Sequence, residues 1–119
     1  MKASELRIGN LVDDNGLVET VTSDHLINDE HYDGLKGCLP IPLTEEWLLK
    51  FGFKKSNSDW YTTKSMQLPF EELAIKLSNG RVTAETDRVE IFICNEIKHV
   101  HQLQNLYFAL TGNELEIKE

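Results

Sequence analysis

Two Asn-Gly pairs, each set between stretches in which apolar and polar residues alternate, constrain the fold of this chain more than any other feature. Asn15-Gly16 and Asn79-Gly80 both suit the type I′ turn that most often joins antiparallel strands. Alternation of apolar and polar residues is itself typical of a strand with one buried face. The sequence therefore predicts at least two antiparallel hairpins. Their strands are LRIGNLV and LVETVTS for the first pair, and LAIKL and RVTAET for the second.

The segment PIPLTEEWLLKFGF, residues 40–53, predicts a short helix from about 45 to 51. Thr44 is a suitable N-cap, because its hydroxyl can accept a hydrogen bond from a free backbone N–H in the first turn. The two glutamates after it place negative charge at the positive end of the helix. Gly52 suits the position that ends a helix. The predicted buried face consists of Trp47, Leu48 and Phe51.

A second helix is predicted from about 101 to 111, because apolar residues recur there at helical spacing and Gly112 follows them. We expect Leu103, Leu106 and Leu110 to bury this helix against a sheet. The full apolar stripe consists of Val100, Leu103, Leu106, Tyr107 and Leu110.

The segments between the two helices predict a three- or four-stranded antiparallel meander. Phe92 alternates with Ile91 and Ile93, which predicts that both faces of its strand are covered, the second one by a helix. ELEI, residues 114–117, is a candidate for a last short strand. The segments of the meander are DWYTTK, MQLPFEELAIKL, RVTAET and RVEIFICN.

These patterns predict a single α+β domain over residues 1–119, mostly antiparallel β, with two helices. It divides into an N-terminal β subregion, 1–39, and an α+β subregion, 40–119. The first is expected to be a curled sheet, for which an SH3-like form is one option. A chain of 119 residues is long enough to bury a core of its own.

The sequence contains no apolar run of about 18 residues, the length that a transmembrane helix needs. Its first residues, MKASELRIGN, lack the apolar core of a signal peptide. We therefore expect a cytoplasmic protein that does not enter a membrane.

The formal net charge is −8, and the 12 basic residues are scattered along the chain. Nucleic acids are bound mainly through clustered lysine and arginine, so this charge disfavours nucleic-acid binding. It suits contact with a basic protein instead. The oligomeric state is left open by the sequence.

Two histidines separated by one residue, His99 and His101, are the first candidates for a metal site. On a helix they would face about 200° apart, whereas in an extended segment they would point to the same side. A site would also need a third ligand. The alternative interpretation is a strand-to-helix junction, where side chains satisfy free backbone groups. The candidates for further ligands are Cys94, Glu96, His25, His31 and the carboxylates near them, of which only Cys94 and Glu96 are close in sequence.

The segment SDHLINDEHYD, residues 23–33, is the second candidate, with Asp24, His25 and His31 among its polar side chains. Its spacing does not match an EF-hand, so a solvated acidic loop is the preferred interpretation. Cys38 and Cys94 lie in apolar surroundings and are interpreted as structural. No residue is assigned a catalytic, cofactor-binding or metal-binding role, and no cofactor is expected.

The functional hypothesis is a non-catalytic interaction or accessory protein, because no nucleophile motif, phosphate loop or metal frame is recognisable. The alternative is a small metal-dependent hydrolase that uses His99 and His101 with nearby carboxylates. Trp60 and Tyr61 could anchor an interface, but their strand context favours a core or half-core position.

Three segments occur together in one order: ELRIGNLV, IPLTEEWLLKFGF and KHVHQLQNLYFALTGNEL. In these segments the chain resembles a family of short uncharacterised proteins from Bacteroides-type bacteria and their phages or mobile elements. The resemblance implies an accessory protein inside a bacterial cell, related to phages or mobile elements. It implies no catalytic residue.

Overall fold

The computed structural model describes residues 6–14, 16–22, 38–64, 70–86 and 89–117. These residues form eight antiparallel strands in two sheets and two helices. The prediction of one α+β domain, mostly antiparallel β with two helices, is confirmed. Neither helix is long and apolar enough to cross a membrane, a statement that covers the described residues only.

The N-terminal sheet has three antiparallel strands, β1 (Leu11–Asp14), β2 (Leu17–Thr20) and β3 (Cys38–Leu39), in the order β2-β1-β3. Asp14 pairs with Leu17, as predicted for the first hairpin. The strand begins at Leu11 and not at Leu6, because Arg7 and Asn10 form a turn whose N–H···O distance is 3.0 Å. Whether this sheet curls as SH3-like sheets do depends on residues 23–37, which lie outside the described part.

The second sheet is a five-stranded meander in which each strand pairs with the next along the chain. The prediction of three or four strands was wrong because β4, with the sequence KKSN, is polar and lacks alternation. The second hairpin was predicted correctly, but Lys76 pairs with Arg81 across a loop of residues 77–80. The strands are β4 (Lys54–Asn57), β5 (Trp60–Thr63), β6 (Glu72–Lys76), β7 (Arg81–Thr86) and β8 (Val89–Cys94).

The two helices are α1 (Glu45–Lys50) and α2 (Val100–Thr111). The predicted caps of α1 are confirmed. Thr44 Oγ1 accepts a hydrogen bond from the Trp47 N–H at 3.4 Å. At the other end, the Phe53 N–H donates to the Leu48 carbonyl at 2.9 Å, as in a Schellman motif.

The main core lies between one face of the five-stranded sheet, called here the inner face, and the two helices. Leu48 and Phe51 are buried as predicted, while Trp47 is half-buried. The N-terminal sheet has a smaller cluster of its own, formed by Val12, Val21 and Cys38. The principal side chains of the main core are Leu48, Phe51, Phe53, Leu73, Ile75, Val82, Val100 and Leu103.

The buried face of α2 is rotated relative to the predicted stripe. Leu103 is fully buried, but Leu106 and Leu110 are only partly buried at the margin of the core. His101 and Gln104 are buried instead. The reason is that the N-terminal sheet packs beside α2 and covers this side of the helix.

Two other predictions were wrong. Phe92 is 51% exposed, so neither helix of the described part covers the outer face of the five-stranded sheet, opposite the core, at that point. Residues 114–117 form no strand, although Leu115 is buried in the main core.

Candidate functional site

A buried polar network joins the N-terminal turn to α2. The Asn10 side chain is completely buried. Its Oδ1 accepts from the Arg7 N–H at 2.7 Å, and its Nδ2 donates to Asn105 Oδ1 at 2.8 Å. The amide of Gln104 makes two more bonds: Oε1 accepts from the Leu11 N–H at 2.8 Å, and Nε2 donates to the Gly9 carbonyl at 3.3 Å. Two helix amides therefore satisfy the turn that starts β1.

Arg7 completes this network from the solvent side. Its Nε donates to Asn105 Oδ1 at 3.1 Å, and its guanidinium pairs with the Glu114 carboxylate. The guanidinium carbon also lies 4.2 Å from the centre of the Phe108 ring. Every group is bound to another part of the chain, so the network holds two subregions together and offers no free group for catalysis.

The buried stripe predicted for α2 contains neither Gln104 nor Asn105, yet both bind the N-terminal turn in the structure. A usable signal was present, because Gln104 is one residue after Leu103 and three before Tyr107, within the apolar stripe. A polar residue inside such a stripe is expected to have a buried partner.

Replacing Gln104 with methionine should lower the free energy of unfolding by about 2 kcal/mol, since two hydrogen bonds of about 1 kcal/mol each are lost. Methionine keeps the length of the side chain and removes both polar atoms. Urea unfolding followed by circular dichroism measures the change. Gln102→Met is the control. The side-chain carbonyl of Gln102 accepts hydrogen bonds from the Lys98 and His99 N–H groups. This position is more accessible, so water can replace the carbonyl, and a smaller decrease in the free energy of unfolding is expected.

His99 and His101 lie side by side at the start of α2. His99 is extended, with φ −130° and ψ 152°, and forms an isolated β-bridge with Pro42. The ring centroids are 5.9 Å apart with an interplanar angle of 20°. The two rings thus lie on the same side, as expected if the histidines belong to an extended segment. His99 also marks the junction between an extended segment and α2, as the alternative interpretation expects.

Within the described residues, no group of three or more histidine, cysteine or carboxylate side chains is arranged to hold a metal ion. The stacked histidines therefore lack a third ligand in that part of the chain. Burial raises the pKa of the Cys94 thiol above its ordinary value, so this thiol is protonated at neutral pH and is a poor nucleophile. The segment 23–33, with Asp24, His25 and His31, lies outside the described residues.

Other shifted groups have local causes. Burial and the nearby Glu45 carboxylate raise the pKa of Tyr61, which belongs to the main core. Hydrogen bonds from Ser78 lower the pKa of the Asp59 carboxyl, and this contact ties the turn after β4 to the loop after β6. Burial raises the pKa of the Cys38 thiol, and the negative charge of the Asp14 carboxylate raises it further.

The outer face of the five-stranded sheet carries an open groove of 320 Å³. Trp60 is half-buried there, in agreement with the predicted half-core position, while its neighbour Tyr61 points into the core. Every charged side chain that lines the groove is a glutamate. The lining residues are Ser56, Trp60, Thr62, Glu72, Ala74, Thr83, Glu85 and Glu90.

The three glutamates stand in one row across three strands. Glu72 of β6 pairs directly with Glu85 of β7, and Glu85 pairs with Glu90 of β8. Side chains in such positions have Cβ atoms about 5 Å apart on the same face. Lys64 lies 3.9 Å from the Glu72 carboxylate at the solvent-exposed end. We call Glu72, Glu85 and Glu90 the glutamate row.

The outer face of the sheet carries basic side chains at the end away from the glutamate row. Lys76 lies beside Trp60, and the Arg81 guanidinium carbon is 5.0 Å from the centre of the Phe92 ring. The outer face therefore has an acidic end at the glutamate row and a basic end near the loop 77–80.

Comparison with known proteins gave no match. No family model, curated protein or solved structure matches this chain. The function must therefore be argued from the geometry.

Three segments that are far apart in the sequence, 5–12, 41–53 and 98–115, contribute residues that meet in the structure. The turn at 7–10 binds Gln104 and Asn105 of α2. Residues 41–43 run beside the start of α2, where the Leu43 N–H donates to the Lys98 carbonyl at 2.9 Å and the Val100 N–H donates to the Ile41 carbonyl at 2.9 Å. These segments thus hold α2 to the N-terminal turn and to residues 41–43. The groove on the outer face of the sheet is lined by other residues, between 56 and 90.

Proposed function

We propose that this protein is a non-catalytic interaction module that binds a basic segment of another protein at the glutamate row. The observation that carries the proposal is the register of the row, which sets three carboxylates side by side on an open sheet face. Like charges directly opposite each other destabilise a sheet by about 0.2–1 kcal/mol per pair. The fold does not need this arrangement, and a basic ligand would relieve it.

The groove has further features that suit a basic segment. Trp60 lies in it, and an indole ring attracts an ammonium or guanidinium group placed over its face. Thr62 and Thr83 can donate or accept hydrogen bonds beside it. The overall charge of −8 would also steer a basic partner toward the protein before contact.

The hydrolase alternative has less support. His99 and His101 are stacked, but no described side chain gives them a third ligand. The glutamate row offers a formed groove with one sign of charge, which is the better basis for a function.

We also propose a cytoplasmic accessory role, related to phages or mobile elements. It is supported by the resemblance in three segments. A basic protein partner in the same compartment is consistent with this role.

The test uses a fluorescent, end-capped peptide of about eight alternating lysine and valine residues, a length within the usual range for a strand. Fluorescence anisotropy should show saturable binding at about 0.1 M salt and none at about 1 M, because the screening length falls from about 10 Å to about 3 Å. The double variant Glu85→Gln, Glu90→Gln should bind about fivefold more weakly, at roughly 0.5 kcal/mol for each lost ion pair.

The matched control is Glu46→Gln with Glu116→Gln, two exposed carboxylates away from the groove that change the net charge equally. This variant should bind like the parent. The single variant Glu85→Gln should unfold at a slightly higher temperature, since it removes the central charge of the row. Equal weakening in both double variants would mean that only the net charge matters, and the proposed site would be wrong.

A further inference from the structure

The two edges of the five-stranded sheet differ in the side chains that they present. The edge strand β4 carries the exposed lysines Lys54 and Lys55. The edge strand β8 carries apolar side chains: Val89 is 57% exposed, Ile91 39% and Phe92 51%. Exposed sheet edges are commonly protected from pairing by lysine, so β4 is protected in this way and β8 is not.

The outer edge of β8 is unpaired among the described residues, because β8 is the last strand of the sheet. Its partner β7 occupies the other edge in continuous register from Val89 to Phe92. One extra residue then interrupts the register before Cys94. The stretch Val89–Phe92 therefore offers regular backbone N–H and C=O groups to a further strand.

We propose that the basic segment binds as a sixth strand, paired in extended conformation with the outer edge of β8. This inference rests on the proposed function and names how the ligand reaches the glutamate row. A residue of the added strand opposite Glu90 would lie on the outer face, about 5 Å away, with Glu85 one strand further. Its neighbours along the ligand would point to the inner side, toward Val89 and Ile91.

This geometry predicts the ligand's sequence pattern. The glutamate row runs across the strands, so one basic ligand residue, opposite Glu90, would extend it. The apolar ligand residues on either side of that position would cover Val89 and Ile91. The ligand residue two positions further, opposite Phe92, would lie on the same outer face, beside the ring that Arg81 already contacts.

Charge argues against a second copy of this chain as the added strand. Antiparallel pairing of β8 with β8 would bring a second glutamate row to the same face, and each copy carries a net charge of −8. A basic residue opposite Glu90 has the opposite sign and offsets the repulsion at that end of the row. Complementary charge therefore selects a basic partner.

Amide hydrogen exchange measured by nuclear magnetic resonance tests the mode of binding in the intact protein. The probe is the alternating lysine-valine peptide. At about ten times its Kd, every second amide from Val89 to Phe92 should exchange about tenfold more slowly, because the added strand accepts from the outward N–H groups. The intervening amides already face β7 and should change less. The same peptide N-methylated on the lysines, or on the valines, blocks one backbone edge, so one of these two peptides should lose binding.

The outcomes separate the two proposals. A peptide that binds by anisotropy while the β8 amides exchange at unchanged rates, and while both N-methylated peptides bind equally, would overturn strand addition and leave binding at the glutamate row intact. A peptide that does not bind would overturn the proposed function itself. If the β8 amides exchanged slowly without peptide, and more slowly at higher protein concentration, the occupant would be a second copy of the chain. That result would also overturn the inference.

Discussion

Replacing Gly80 with alanine should lower the free energy of unfolding by about 3 kcal/mol, one of the largest effects expected of a single methyl group in this protein. Gly80 has φ +69°, a backbone region that costs other residues about 1–2 kcal/mol. In addition, an added Cβ would lie 2.3 Å from the Ile97 nitrogen and 2.6 Å from its carbonyl oxygen. These are backbone atoms, and they cannot rotate away.

The segment that the new methyl group meets is held in place. The Ile97 N–H donates to the Gly80 carbonyl at 3.0 Å, and the Glu96 N–H donates to the Asn79 carbonyl at 3.3 Å. Glu96 itself has φ +65°, so the connection from β8 to α2 is already in an uncommon conformation. Relieving the contact means breaking these bonds, and urea unfolding measures the cost.

Gly112→Ala is the matched control. Gly112 has a similar φ of +74°, but an added Cβ would meet nothing within 4 Å. Only the backbone cost of about 1 kcal/mol is expected there. If the two variants lost equal stability, the close approach of the loop 77–80 to Ile97 would be wrong.

Leu103→Ala should also destabilise the protein strongly, by about 2–5 kcal/mol. The side chain is fully buried between α2 and the inner face of the sheet, so its removal leaves a cavity in a close-packed core. Thermal and urea unfolding, with the fold checked by circular dichroism, give the value.

Leu106→Ala is the comparison on the same helix. Leu106 is only partly buried, and its truncation leaves space that solvent can fill. We expect a clearly smaller loss than for Leu103→Ala. A greater loss for Leu106→Ala would mean that the helix is rotated back toward the stripe that the sequence predicts.

The elements that sequence reasoning predicted well are those whose signals are local. The helix α1 has its cap at Thr44 and its end at Gly52 within one short segment, and both were predicted correctly. The two hairpins follow from Asn-Gly pairs and the alternation around them. In each case the residues that decide the structure are neighbours along the chain.

The errors arose where distant parts of the chain meet. The start of β1 at Leu11 depends on the bond from its N–H to Gln104, which is 93 positions away. The rotation of α2 depends on the N-terminal sheet beside it. The polar strand β4 is held by pairing with β5 and by its place in the sheet, and its own composition does not indicate a strand.

The candidate site was missed for the same reason. Glu72, Glu85 and Glu90 are unremarkable in the sequence, because exposed strand positions often carry charge. Only the register of three strands places them in one row, and a shift of one residue would move a glutamate to the other face. The histidine pair is visible in the sequence because only one residue separates His99 from His101, although no third described ligand joins it.

The central claim is that a basic segment binds at the glutamate row and the adjoining edge of β8. A titration of the isotopically labelled protein with the lysine-valine peptide, followed in ¹H–¹⁵N spectra, tests it most directly. We predict saturable shifts confined to residues 72–76, 81–86 and 89–94 and to the Trp60 indole N–H. Shifts centred on His99 and His101, or no shifts at low salt, would contradict the account.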